Sequence, residues 1–169
     1  MKYRIDKPYP AIKVEGPNQY FAHLLKEDYS GDISELSAVL LYSYQHIVSD
    51  ARLKEYASLI HHISIVEMYH LELLGETIQL LGSDAEFTTI NPKTETTIPW
   101  TSSYINNATD LKGMLELDIA SEEQAIDHYE RHLTMIDDHY IQNLLLHIIQ
   151  DEKLHLQLFR EFYQKHFSS

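Results

Sequence analysis

The chain contains no cysteine, which excludes a disulfide framework, a rubredoxin-type iron site, a zinc ribbon and a thiol nucleophile. Basic residues are scarce: 13 Lys and Arg stand against 26 Asp and Glu, a formal charge of −13. Nucleic-acid phosphates and anionic membrane surfaces are both recognised by clustered cations, so neither partner is expected. No apolar run approaches the roughly 20 residues that span a bilayer. The opening residues Met1 to Pro8 lack the apolar stretch of a signal peptide. A soluble cytoplasmic protein is the default expectation. What the chain does have is 169 residues, 44% of them apolar, enough for one domain with a continuous core over 1–169.

Residues 1–16 hold Pro8 and Pro10 and show no clean period; they read as an extended arm lying over a body. A short helix is expected from Asn18 to Tyr29, ending at Ser30-Gly31. Asp32 is a candidate cap for a second helix ending near Ser49, and Asp50 for a long one from about Ala51 to Leu81, closed by Gly82. The stretch 83–108, with Pro92, Pro99 and several Thr and Ser, lacks helical periodicity and reads as a crossover along a bundle. Asp110 then opens a helix to about Ile136, and Asp137-Asp138 opens the last, to about His166. The pattern is all-α: an antiparallel four-helix bundle built from two hairpins and one long crossover. No period-2 pattern competes.

Two Glu-x-x-His pairs occur, Glu67 with His70 and Glu152 with His155. This spacing puts both side chains on one helix face, but composition alone would produce about one such pair. A longer pattern carries more weight. Glu35-x-x-Ala38-x-x-x-Tyr42 recurs as Glu122-x-x-Ala125-x-x-x-Tyr129, each copy followed by a Glu-x-x-His pair 32 or 30 residues on. The chain therefore reads as a duplicated hairpin. Counted from the two tight turns at about 1.5 Å per residue, all four Glu fall at nearly one height. Ile60, Ile63, Leu71, Leu74 and Ile78 share the face of Glu67; Leu145, Ile148, Leu156 and Phe159 share that of Glu152. Four buried carboxylates without partners would cost several kcal/mol each. Two divalent cations would balance them and leave both imidazoles neutral as ligands. One Glu from each of two helices and Glu-x-x-His from the other two is a dinuclear carboxylate arrangement. Its oxygen-rich donors suit two iron or two manganese ions better than zinc.

At these residues the chain resembles the ferritin-like dinuclear carboxylate superfamily, which includes rubrerythrin, bacterioferritin and manganese catalase. The repeated Glu-x-x-Ala-x-x-x-Tyr motif resembles that of rubrerythrin. Ser34-Glu35-Leu36-Ser37-Ala38 with Tyr42 and Gln45, and Glu67-Met68-Tyr69-His70-Leu71-Glu72, are similar to manganese catalases and a related catalase-type spore-coat protein. The resemblance implies that Glu35, Glu67 and His70 hold one metal and Glu122, Glu152 and His155 the other. It implies further that Glu67 and Glu152 bridge, that Glu152 handles protons in catalysis, and that Tyr42 and Tyr129 hydrogen-bond the ligand carboxylates. The chain departs from the resemblance to rubrerythrin at Ile119, where that family has another carboxylate, and neither the C-terminal extension of manganese catalases nor the short fifth helix of ferritins is expected. The implied function is redox chemistry on hydrogen peroxide or dioxygen, foremost catalase- or peroxidase-like detoxification, in a homo-oligomer. Iron oxidation and storage, or a structural coat role retaining the fold, are the alternatives.

Plainer readings stand beside these. The six ligand candidates could form a polar network in an ordinary bundle, and both tyrosines could be core aromatics. His61, His62, His128, His132, His139 and His147 read as surface or core-edge residues, and Glu116, Asp118 and Glu123 as solvated. His46 is a weaker candidate near the site. Trp100 is expected to anchor the crossover.

Overall fold

The computed structural model describes residues 2–91, 93–94 and 96–167; Met1 and Pro92, named above, lie outside them. Five α-helices fill the four positions of an antiparallel bundle, because the first is broken in two. Helix α1 (Gln19–Ser30) is capped by the Asn18 side chain, which accepts the Phe21 N–H. It stops at Gly31, whose N–H donates to the Glu27 carbonyl; a Cβ at Gly31 would lie 2.5 Å from that oxygen, so glycine is required. Helix α2 (Glu35–Ser49) starts afresh with Ser34 accepting the Ser37 N–H. Ser34, rather than Asp32, is therefore the cap, and Asp32 only receives the neighbouring Ile33 N–H.

Helix α3 (Lys54–Leu80) runs antiparallel to both. Asp50 does not open it: its N–H ends α2 on the His46 carbonyl, and the N–H groups of Arg52 and Leu53 turn back onto Ser49. Three more residues are spent in the turn than the capping signal suggested. Gly82, at φ +83, closes α3 in the left-handed conformation that favours glycine. Tyr29 of α1 packs on Gly75, and the Asn18 N–H meets the Leu81 carbonyl at 3.0 Å, so α1 covers the C-terminal half of α3 while α2 covers the rest.

The crossover is not structureless. It carries a small antiparallel pair, β1 (Thr88–Ile90) and β2 (Thr97–Pro99), and a 3-10 turn at Ser102–Tyr104. Three-residue strands are too short to display a period. Trp100 ties this segment to the bundle by donating its indole N–H to Ser37 Oγ at 3.0 Å. Helices α4 (Leu111–Met135), capped by Asp110, and α5 (His139–Phe167) form the second hairpin. Asp138 receives the Tyr140 and Ile141 N–H groups at the start of α5. The N-terminal arm lies along α5, with the Ile5 N–H on Asp151 and the Glu15 N–H on Asp138.

The apolar core is divided. One cluster gathers Leu25, Tyr29, Leu74, Ile78, Leu145 and Ile148 with their neighbours. The other gathers Tyr42, Ile60, Ile63, Met114, Leu115 and Phe159. Between them, along every bundle helix, lies a layer of buried carboxylates and imidazoles.

Candidate metal centre

All six residues singled out by the duplicated pattern meet in that layer. Glu35 is the first residue of α2, Glu67 and His70 lie mid-way along α3, Glu122 mid-way along α4, and Glu152 with His155 mid-way along α5. None is more than 4% exposed. They form two overlapping groups: Glu35, Glu67, His70 and Glu152, and Glu67, Glu122, Glu152 and His155. Within each group one donor atom per residue lies within 4.8 Å of every other. Glu67 and Glu152 belong to both.

Both imidazoles face inward by the same nitrogen. His70 Nδ1 is 3.1 Å from Glu67, 2.9 Å from Glu152 and 3.6 Å from Glu35. His155 Nδ1 is 3.0 Å from Glu67 and 3.1 Å from Glu152. Their outer nitrogens are taken: His70 Nε2 meets Asp151 at 3.2 Å, and His155 Nε2 meets the Tyr3 carbonyl oxygen at 2.8 Å. Each Nε2 faces an acceptor and must carry a proton, so in the neutral ring Nδ1 is an open lone pair. It then confronts carboxylate lone pairs, an arrangement that needs a cation between them or a charged ring. Glu67 Oε1 and Glu152 Oε1 are buried with no partner except these same nitrogens, 3.0 Å from His155 Nδ1 and 2.9 Å from His70 Nδ1, so with neutral rings they would be left unsatisfied. The donor set therefore fits a pair of divalent ions.

The tyrosines cross between hairpins. Tyr42 of α2 donates to Glu122 of α4 at 2.5 Å, and Tyr129 of α4 donates to Glu35 of α2. Each hydroxyl thus occupies one oxygen of the opposite hairpin's Glu and turns the other inward.

Burial, reinforced by the Glu152 charge, raises Glu35 to about 8 and Glu122 well above the carboxylate range. Burial opposes protonation of His155, but Glu67 and Glu152 overcome it and raise the ring to about 10; Glu35 and Glu152 likewise raise His70. Burial would raise Glu152 too, yet the adjacent imidazoles hold it well below its ordinary value. Without metal the layer balances its charge by holding protons on both rings and on the outer carboxylates.

Several residues depart from their sequence reading. Asp118 is not solvated: it is fully buried, accepts the Tyr56 hydroxyl at 2.7 Å, and burial lifts it to about 7. Its spacing of four before Glu122 was the available signal. His132 is also fully buried, at 2.6 Å from Asp28. His46 faces the Ala57 carbonyl at 3.0 Å, away from the six. Asp151 is fully buried and supports His70, and the sequence marks it only by its i, i+4 spacing to His155. Glu116, Glu123, His61, His62 and His139 are exposed, and His128 is half-buried.

The rubrerythrin family, as a sequence pattern, matches residues 31–163, which contain α2, α3, α4, most of α5 and all six residues. The chain belongs to the rubrerythrin family. A protein of Clostridium acetobutylicum named "Probable manganese catalase" is 30% identical over 91% of this chain and 75% of its own length. KatB, a manganese catalase from Anabaena, superposes with a TM-score of 0.83 at 25% identity, covering 98% of this chain and 80% of KatB. Desulfovibrio desulfuricans bacterioferritin shares the fold, with a TM-score of 0.72 at 23% identity over 89% and 83% of the two chains. This rubrerythrin-family chain is thus a ferritin-like helical bundle similar to manganese catalases. Among the described residues no helix is long and apolar enough to cross a membrane.

Proposed function

We propose that this protein holds two manganese or iron ions in the six-residue layer and disproportionates hydrogen peroxide, two H₂O₂ giving two H₂O and one O₂. The observation that carries the reading is the pair of inward Nδ1 lone pairs, each opposed by Glu67 and Glu152 and each fixed by an acceptor behind the ring. When bound, the metal pair supplies the two-electron redox chemistry of the O–O bond. Manganese is the preferred occupant, supported by similarity to the Clostridium and Anabaena proteins. Disproportionation also needs no external reductant. Iron would turn the same cage toward peroxidase or ferroxidase chemistry on peroxide or dioxygen.

The chain's own residues do the rest. Glu35 and Glu122 hold the outer sides of the pair, positioned by Tyr129 and Tyr42. Glu67 and Glu152 span both positions. Glu152, kept ionised by its imidazole neighbours, is the base that takes and returns a peroxide proton. A cavity of about 60 Å³, lined by Glu35, Tyr42, Glu67, Glu122, Tyr129 and Glu152, reaches the layer between α2 and α4. It has room for a few water-sized molecules, enough for peroxide.

The test is oxygen release from peroxide by protein loaded anaerobically with Mn(II). Wild type is expected to evolve O₂ catalytically, and Glu152→Gln to lose at least about 100-fold. Absence of turnover with two ions bound would reject the catalytic reading in favour of a structural or iron-handling role. We expect a homo-oligomer, checked by assembly mass.

A further inference from the structure

We propose that Glu27, His132 and Asp28 form a proton relay connecting solvent with the cavity above the carboxylate layer. His132 of α4 is fully buried and lies between two carboxylates of α1. Its Nδ1 is 2.6 Å from Asp28 Oδ2, and its Nε2 is 3.1 Å from Glu27 Oε2. Glu27 is 43% exposed and also receives Arg131 at 2.8 Å, so this end of the chain opens to water. Asp28 is 2% exposed and lines the same cavity as Glu35, Glu122 and Glu152. Its second oxygen, Oδ1, is buried and accepts no hydrogen bond.

A simple pin between α1 and α4 would need one carboxylate on one ring nitrogen. Here both nitrogens are engaged, one by the half-exposed Glu27 and one by Asp28, which lines the cavity and has one carboxylate oxygen without a hydrogen bond. An imidazole held this way can accept a proton at one nitrogen and release another from the opposite one. Burial raises Asp28 above its ordinary value against the pull of the His132 ring, so the carboxylate and the imidazole compete for one proton across their 2.6 Å contact. The charged and titratable side chains facing the relay are Glu27 and Asp28 from α1 and His128, Tyr129 and Arg131 from α4.

The relay serves the reaction proposed above and rests on that reading. Reducing one peroxide to two waters takes up two protons and two electrons; oxidising another to O₂ releases the same number. The two half-reactions are separate in time, so protons must be stored or exchanged with solvent between them. Inward transfer passes a proton from water to Glu27, from Glu27 to His132 Nε2, from His132 Nδ1 to Asp28, and from Asp28 to an oxygen in the cavity. Outward transfer reverses each step, and no other reagent is consumed.

Two measurements on the full chain test this. The first uses metal-free protein and nitrogen-15 NMR: the His132 Nδ1–H is expected to exchange with solvent far faster than buried backbone amides, and at least tenfold more slowly in Glu27→Gln. Exchange as slow as the core amides would overturn the relay. The second uses manganese-loaded protein. Asp28→Asn and His132→Gln are expected to keep two ions per chain and the same KM for peroxide, while kcat falls at least tenfold. His132→Gly is expected to recover with added imidazole. Unchanged kcat, loss of metal in Asp28→Asn, or failure of imidazole rescue would each overturn the proposal. Should Asp28→Asn fail to fold, the half-exposed Glu27→Gln carries the same kinetic prediction. A wild type that binds two ions without turnover would reject the peroxide reaction, and the exchange experiment would still decide whether the relay exists.

Discussion

The two hairpins present the same inner groups to the bundle axis but brace their histidines differently. His70 leans on Asp151, a buried carboxylate that also receives the Ile5 N–H at 2.6 Å and the Tyr9 hydroxyl at 2.9 Å. His155 leans on a neutral backbone carbonyl of Tyr3. A carboxylate behind an imidazole makes it a stronger donor than a carbonyl does. The duplicated sequence therefore builds a symmetric inner ring, and Asp151 behind one imidazole and the docked arm behind the other make its two ends inequivalent. The lesson is that ligand count comes from the repeat, whereas the difference between the two metal positions comes from outside it.

Substitutions that respect or break this symmetry separate the two layers of the argument. The largest effect is expected from Glu67→Gln or Glu152→Gln. Each residue belongs to both groups of ligands, so either change should drop the metal content well below two per chain, measured by elemental mass spectrometry. Asp151→Asn should act on one end only, weakening one of the two ions about 10–100-fold in a competitive chelator titration. Equal weakening of both ions would contradict the inequivalence. Tyr42→Phe and Tyr129→Phe should be near-equal, each losing a hydrogen bond to a carboxylate worth about 1.5–3 kcal/mol. Tyr3→Ala should scarcely change metal affinity, because the carbonyl that braces His155 remains.

The relay region adds a pH signature. Burial lowers the His132 proton affinity, but Asp28 and Glu27 outweigh it and hold the ring at about 9, above its ordinary 6.5. A raised folded value gives stability that is complete below pH 6.5 and lost as pH climbs through about 9. Glu35, raised to about 8 by burial and the Glu152 charge, likewise favours the folded metal-free chain less as pH rises. Metal-free protein is expected to lose Tm from about pH 4.5 to 9, the Glu35 part between 4.5 and 8 and the His132 part between 6.5 and 9, with a flatter slope above pH 6.5 in His132→Gln. Loaded protein should keep only the His132 part of this loss, since metal replaces protons on the ligands and binds better as pH rises. Differential scanning fluorimetry at several pH values checks both slopes.

The bundle and its six inner residues were legible in the sequence because both obey helical periodicity and the motif occurs twice. Asp110 caps α4, and α1 ends at Gly31, as turn chemistry predicts. What periodicity cannot show is which partner arrives from elsewhere in the chain. Asp151 owes its burial to the arm, His132 to α1, and neither partner is encoded in the helix that carries the residue. Asp118 is different: it shares the Glu122 stripe, and the Tyr56 hydroxyl of α3 explains why a carboxylate is tolerated there. The boundaries misread at Asp32 and Asp50 have one cause. A capping residue type was present one turn from where the backbone leaves the helix, and Ser34 and the Ser49 carbonyl decided the geometry instead. The β-hairpin of the crossover is held by three residue pairs, too few to leave a pattern.

The most direct test of the central claim is the number of metal ions per chain. Protein loaded anaerobically with Mn(II) or Fe(II), freed of loose ions and measured by elemental mass spectrometry, should retain two per chain. No retained metal, or a count far above two, would contradict a closed dinuclear cage.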